Sequence, residues 1–303
     1  MKKKLLALLL VCGLVLALAA CGGAPAETGG NDSASGNAET QTPDDTAAGN
    51  EEPTPPDDTA NLSDASGEAG DTAYVQNKGT LVVGITDFAP MDYRSDAGEW
   101  IGFDADMAKA FAESLGVQVE FIEINWDNKL MELDTKAIDM VWNGMTITDE
   151  VKAGAAVPDP YCRNGQVVVV PAAMADAYAS VESLKDLSFA VENGSAAAEQ
   201  LDILGISYTA LDTQARALME VASGASDACV IDLLMAGAMI GEGTSYPDLT
   251  YTFQLNNEEY GVAFRKGSDL VDAFNTFWAE ASADGRVMET ATMYGLQESV
   301  IVK

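Results

Sequence analysis

From residue 81 onward, short apolar runs alternate with stretches whose apolar positions recur every three or four residues. Residues 81–85 (Leu-Val-Val-Gly-Ile) read as a buried strand. Residues 104–115 put Met107, Phe111 and Leu115 on one helical stripe that closes at Gly116. The pattern then predicts a strand over 117–124, a helix over about 127–136 and a strand over 138–142 that ends on Trp142, a core aromatic. Strand, helix, strand, helix, strand implies parallel sheet order and an α/β class. A second series predicts a strand at 166–170, a helix at 181–187, a strand at 189–191, helices at 195–204 and 213–223, and a strand at 228–231. The stretch 251–255 and the run 260–267 then lead into a helix from 269 to about 283 and a last one ending at Gly295. No short-period repeat is present. Two α/β units of similar size predict two lobes, and ligands of such sheets collect at the carboxyl ends of strands.

The first seventy residues follow neither period. Lys2, Lys3 and Lys4 precede an apolar run to Ala20, too short to span a bilayer comfortably and ordered like an export signal. It ends in Leu18-Ala19-Ala20-Cys21-Gly22, which resembles a lipoprotein box, so residues 1–20 are expected to be removed and Cys21 lipidated. That places the protein on the extracellular face of the cytoplasmic membrane. Residues 21–72 are Gly, Ala, Asp, Glu, Thr, Ser and Pro with almost no large apolar residue, which predicts a disordered tether. At about 5 to 6 Å times the square root of its length, such a chain reaches on the order of 40 Å.

Forty-eight acidic against sixteen basic residues give a formal net charge of −32 with no histidine at all. A nucleic-acid partner is excluded, because binding phosphates needs the opposite sign. The acidity reads either as general solubility or as a field that attracts cations. Beyond the signal and Cys21, the cysteines are Cys162 and Cys229. Export permits a disulfide between them, yet Cys229 lies in an apolar run and reads as a small buried hydrophobe. No metal and no cofactor is expected, since two scattered cysteines without histidine cannot supply a usual ligand set.

Several segments resemble, in order and spacing, the extracellular solute-binding proteins that feed polar amino acids to ABC importers. They are Gly84-Ile85-Thr86-Asp87-Phe88-Ala89-Pro90-Met91, Gly102-Phe103-Asp104, the stretch from Asn143 to Val151, Asp159-Pro160-Tyr161, Tyr260-Gly261 with Arg265-Lys266-Gly267, and Tyr294-Gly295. The resemblance covers residues 79–303. It implies a two-lobed, periplasmic-binding-protein-like type II α/β fold with a ligand cleft, lobe 1 from 73–163 and 259–303 and lobe 2 from 164–258. The crossings would fall near 162–166 and 255–260, with hinge closure on the ligand. A membrane permease is the implied partner, and a monomer the implied state.

The same resemblance nominates site residues. Phe88, flanked by Asp87 and Met91, and Trp126 would sandwich the ligand. The loop after the third strand would offer backbone groups at Asn143, Gly144 and Met145 and the hydroxyl of Thr146. Asp232 matches the aspartate that pairs with a ligand α-amino group, and reads equally as a helix N-cap. Val151 stands where the family usually has the arginine that clamps the α-carboxylate. In Gly194-Ser195-Ala196, Ala196 replaces a hydroxyl residue, and Glu192 stands where glutamine is frequent. These changes weaken a carboxylate site and leave the amine site, which implies an amine-bearing or otherwise cationic ligand held by Asp232 and the two aromatic rings. The rival is an ordinary amino acid whose carboxylate is held by Lys152 or Arg163. Two other classes share the fold: a lipoprotein presenting ligand to a membrane sensor, and a dehydratase-like enzyme using a carboxylate such as Glu192 as acid or base. Nothing in the sequence marks catalysis, there being no Gly-x-Ser-x-Gly elbow and no metal-ligand cluster.

Overall fold

The computed structural model describes residues 70–303. The expectations for the signal, for Cys21 and for nearly all of the tether lie outside the described residues. A helix over Asp71–Lys78 overlaps the end of the tether, which therefore stops short of residue 72. Tertiary contacts hold it: Arg265 Nε donates to Asp71 Oδ2 at 3.0 Å, and Thr72 N donates to Asp269 Oδ1 at 2.8 Å. Pattern alone misses this helix because its apolar face amounts to little more than Val75.

Twelve strands follow among the described residues: β1 Thr80–Ile85, β2 Tyr93–Arg94, β3 Trp100–Ile101, β4 Gln118–Glu123, β5 Met140–Thr146, β6 Cys162–Asn164, β7 Gln166–Pro171, β8 Phe189–Glu192, β9 Tyr208–Leu211, β10 Ala228–Asp232, β11 Leu249–Gln254 and β12 Glu258–Phe264. They build two five-stranded sheets in the orders β4-β1-β5-β12-β6 and β11-β7-β10-β8-β9, with β2 and β3 as a small ribbon. In the first sheet β1 runs parallel to β4 and β5, and β12 runs antiparallel to β5 and β6. In the second, β8 runs parallel to β9 and β10, while β7 runs antiparallel to β10 and β11. The chain passes between the sheets twice, at Gly165 and over residues 255–257, so the first sheet takes strands from both ends of the folded sequence. This is the two-lobed α/β architecture that the alternating pattern predicts.

Helices Phe103–Ser114 and Leu270–Ala283 cover the first sheet, and Arg286–Met293 packs on these two helices. Their contact is aromatic: Phe111 lies 5.6 Å from Phe274, and Trp142 5.1 Å from Phe274, in edge-to-face geometry. Trp142 is fully buried, in keeping with its reading as core. Arg265 is buried and knits this lobe together, donating to Asp71, to the Ile138 carbonyl at 2.7 Å and to the fully buried Asp139. Cys162 and Cys229 are free, buried thiols in different sheets. Among the described residues no helix is long and apolar enough to cross a membrane, and no cluster of three acidic or cysteine side chains is arranged to hold a metal ion.

Three sequence expectations need correction. The helix expected over 127–136 is a 3-10 turn, Trp126–Asn128, followed by a short helix, Lys129–Asp134, because the Asn125 side chain accepts from Asp127 N and tightens the first turn. The helix expected over 181–187 is only a 3-10 turn, Val181–Leu184. The third strand does not stop at Trp142 but continues as β5 to Thr146, because β12 pairs with it through Gly261↔Met145 and Tyr260↔Thr146. Residues 143–146 are therefore strand, not loop.

Candidate functional site

The carboxyl ends of strands from both sheets converge on one cavity of about 430 Å³. From the first lobe it is bordered by Phe88 beyond β1, by Trp126, Asp127 and Lys129 beyond β4, by residues 143–146 of β5, and by Thr148, Glu150 and Val151. From the second lobe come Glu192 at the end of β8, residues 193–196, Asp232 at the end of β10, and Gln214 from the helix Gln214–Ser223. The structure thus brings together Phe88, Trp126, Asn143, Gly144, Met145, Thr146, Val151, Glu192, Ser195, Ala196 and Asp232. Asp87 and Met91 do not border the cavity: Asp87 is exposed, and Met91 is fully buried in the core of the first lobe.

Several nominated groups already have protein partners. Asn143 is locked in a buried network, its Oδ1 accepting from Thr86 N and Oγ1 and its Nδ2 donating to Thr86 O and Asp92 Oδ2. Gly144 N donates to Asp104 Oδ2 at 2.6 Å, so it is not a free donor for a ligand. Gly144 has a φ of +54°, and a Cβ there would overlap the Phe88 ring, so glycine is what lets that ring seat against β5. Thr146 Oγ1 donates to Glu258 Oε1 at 2.9 Å. Ser195 caps the helix Ala196–Leu204 by accepting from Ala198 N.

Asp232 is the hub of the cavity floor. Its side chain makes no N-cap bond to the helix Leu233–Met239. Instead Oδ1 accepts from Tyr260 Oη at 2.6 Å, from Gln166 Nε2 at 3.0 Å and from Asn164 Nδ2, while Oδ2 accepts from Gln214 Nε2 at 2.5 Å. Glu192 is 3% exposed, and its Oε1 has no hydrogen-bond partner. Burial, then the charge of neighbouring Asp232, pushes the Glu192 carboxyl up to about 8. Burial, then Glu258, pushes Asp232 up to about 8. Two acidic groups facing one cavity therefore share too little positive charge within the protein itself.

A pH dependence follows. Both carboxyls hold protons in the folded protein that they lose in the unfolded chain, from ordinary values of 4.5 and 3.8. The stability this confers is complete below about pH 4 and is lost as pH rises through about 8. Buried Asp92 and Asp104 are shifted in the same direction by desolvation. The melting temperature is expected to fall between pH 6 and pH 8.5, and less steeply in Glu192→Gln. A rise over that window would contradict the assignment.

Lys129 is the residue that sequence reasoning missed. Its side chain is 5% exposed, and Nζ donates to Gly194 O of the second lobe at 3.0 Å and to Trp126 O at 3.3 Å. Nζ also stands 5.1 Å from the Trp126 ring centroid. The ammonium over that ring thus belongs to the protein, where a ligand cation had been expected. A signal existed: Trp126, Lys129 and Leu130, and Leu133 share one stripe, and a lysine on an apolar stripe is out of place. Lys152 and Arg163, the expected carboxylate partners, do not border the cavity. Both line an adjoining groove that shares Thr146, Thr148, Ala196 and Glu199 with the cavity, and the Lys152 side chain is 60% exposed beside Asp149.

Two α/β lobes closing over a buried polar cavity define a solute receptor that binds by enclosure. The chain belongs to the bacterial extracellular solute-binding proteins, family 3, whose family model matches residues 81–297. It is 30% identical to the L-cystine-binding protein TcyJ of Escherichia coli K12, over 70% of this chain and 80% of that one. It is 28% identical to the arginine-binding extracellular protein ArtP of Bacillus subtilis 168, over 69% and 84%. Among solved structures, a P235GK mutant of ArgBP from T. maritima superposes with a TM-score of 0.70 at 31% identity, covering 74% of this chain and 99% of that one.

Proposed function

We propose that this chain is the substrate-capturing subunit of an ABC importer and encloses a small amino acid or other amine-bearing solute between its lobes. The observation that carries the reading is the pair of buried carboxylates on the second lobe. Glu192 offers an oxygen with no partner in the protein, and Asp232 beside it is positioned by four donors. An ammonium group supplies the charge and the donors that this pair lacks. Phe88 and Trp126 add apolar walls, while Val151 contributes only methyl groups on the first lobe, so no guanidinium acts from that position. The names of the relatives, which bind cystine and arginine, support an amino-acid ligand. The motif around Cys21 supports a lipid anchor on the outer face of the membrane, with the acidic linker as tether. This reading assigns no reaction to the cavity.

Thermal shifts of the purified chain test it, with arginine, histidine and cystine set beside agmatine, histamine and cystamine. Ligand at a hundred times its dissociation constant stabilises by about 2.7 kcal/mol, a clear rise in melting temperature. Stabilisation by anionic or uncharged solutes in place of amine-bearing ones would overturn the proposal.

A further inference from the structure

The polar wall of the cavity carries carboxylates from Asp127, Glu150, Glu192, Glu199, Asp202 and Asp232, and one basic side chain among the described residues, Lys129. An amino acid brings a carboxylate as well as an ammonium, and a buried carboxylate needs donors. Of the neutral donors on the wall, Gly144 N is taken by Asp104, Val151 N by Thr148 Oγ1 and Ala198 N by Ser195 Oγ, and none of them carries the positive charge that a buried carboxylate calls for. An ammonium has three N–H donors. Lys129 directs two of them to Trp126 O and Gly194 O, which leaves the third without a protein partner.

Resting on the reading that the cavity takes an amino acid, we propose that Lys129 Nζ is the group that holds its carboxylate. Lys129 belongs to the first lobe, whereas Glu192 and Asp232 belong to the second. A zwitterion is thereby oriented across the cleft, anionic end to one lobe and cationic end to the other, and only the closed form satisfies both ends. The bond from Nζ to Gly194 O ties the same ammonium to closure, and its burial strengthens a charge-assisted bond relative to one in water. Lys129 acts here as a specificity residue: it makes the site read an amino acid rather than the corresponding amine.

Isothermal calorimetry on the full chain tests this with whichever of the arginine–agmatine, histidine–histamine and cystine–cystamine pairs shifts the melting temperature most. In Lys129→Met the amino acid is expected to lose about ten- to a hundredfold in affinity, as for a lost hydrogen bond to a charged group, while the amine is held unchanged or tighter. Adding Val151→Arg restores a cation to the same wall and is expected to recover amino-acid binding. Equal losses for both probes would reduce Lys129 to a latch between the lobes and overturn the proposal, as would unchanged amino-acid affinity. A wild-type chain that prefers the amine overturns it while leaving the proposed function standing, whereas a wild-type chain that binds neither member of any pair removes both. Melting without ligand reports folding of each variant, and Lys129→Gln carries the same expectation if the methionine variant does not fold.

Discussion

Replacing Gly194 by alanine is expected to weaken ligand capture by at least tenfold, through closure and without removing any charged group. Gly194 follows β8 in the second lobe and has a φ of +67°. A Cβ there would lie 2.6 Å from Asp127 Oδ1 and 2.8 Å from Asp127 Cα, both in the first lobe. The carboxylate can swing away, but the backbone atom cannot, so the added methyl holds the lobes apart in the region where Lys129 bonds Gly194 O. Two effects separate by measurement. The left-handed conformation costs alanine about 1–2 kcal/mol in open and closed forms alike and appears as a lower melting temperature. The clash acts on the closed form alone and appears as a higher dissociation constant, each 1.4 kcal/mol being tenfold. Small-angle scattering with saturating ligand should show a more open molecule than wild type. A variant that melts earlier yet binds with wild-type affinity would show that this approach of the lobes is not part of capture.

Asp232→Asn should cost more. The substitution keeps the shape and removes the charge, so an ammonium group loses one of the two carboxylates that face it. Loss of a hydrogen bond to a charged group is about 1.5–3 kcal/mol, or roughly ten- to a hundred-and-fiftyfold in affinity. The amide also turns an NH₂ toward either Gln214 Nε2 or the three donors on Oδ1, which misorients the floor as well. Because burial already holds Asp232 up at about 8, its charge adds little to folding near neutral pH, and the stability loss should be smaller than the affinity loss. Calorimetry for affinity and denaturant melts for stability give the comparison. Wild-type affinity in the asparagine variant would move amine recognition to Glu192 alone.

The α/β class, the division into two units and the aromatic core around Trp142 were legible along the chain because they rest on periodicity, which is a local property. Val151 was legible as an apolar residue in a motif that resembles a binding loop, and it does border the cavity. Asp232 shows where local reading stops. In sequence it is an aspartate before a helix, equally a cap or a ligand contact. Only the convergence of Asn164, Gln166, Gln214 and Tyr260 on its oxygens removes the cap reading. Asp87 and Met91 lie off the cavity for a related reason: the chain turns tightly after Phe88, whose carbonyl accepts from Met91 N and Asp92 N, so Phe88 faces the cavity while Asp87 faces solvent and Met91 the core.

What the sequence by itself determined is therefore the α/β alternation of the main strands and helices, the acidic character, the apolar faces and the candidate aromatics, since each depends on residue type and spacing over a few turns of chain. The tertiary structure alone decided that residues 143–146 are strand, since strand ends depend on a partner, β12, more than a hundred residues away. It alone decided that Lys129 enters the cavity while Lys152 and Arg163 remain outside, and that Gly194 meets Asp127. These are facts about two lobes facing each other, and the physical quantity that sets them, the distance between side chains on different sheets, has no local trace in the chain.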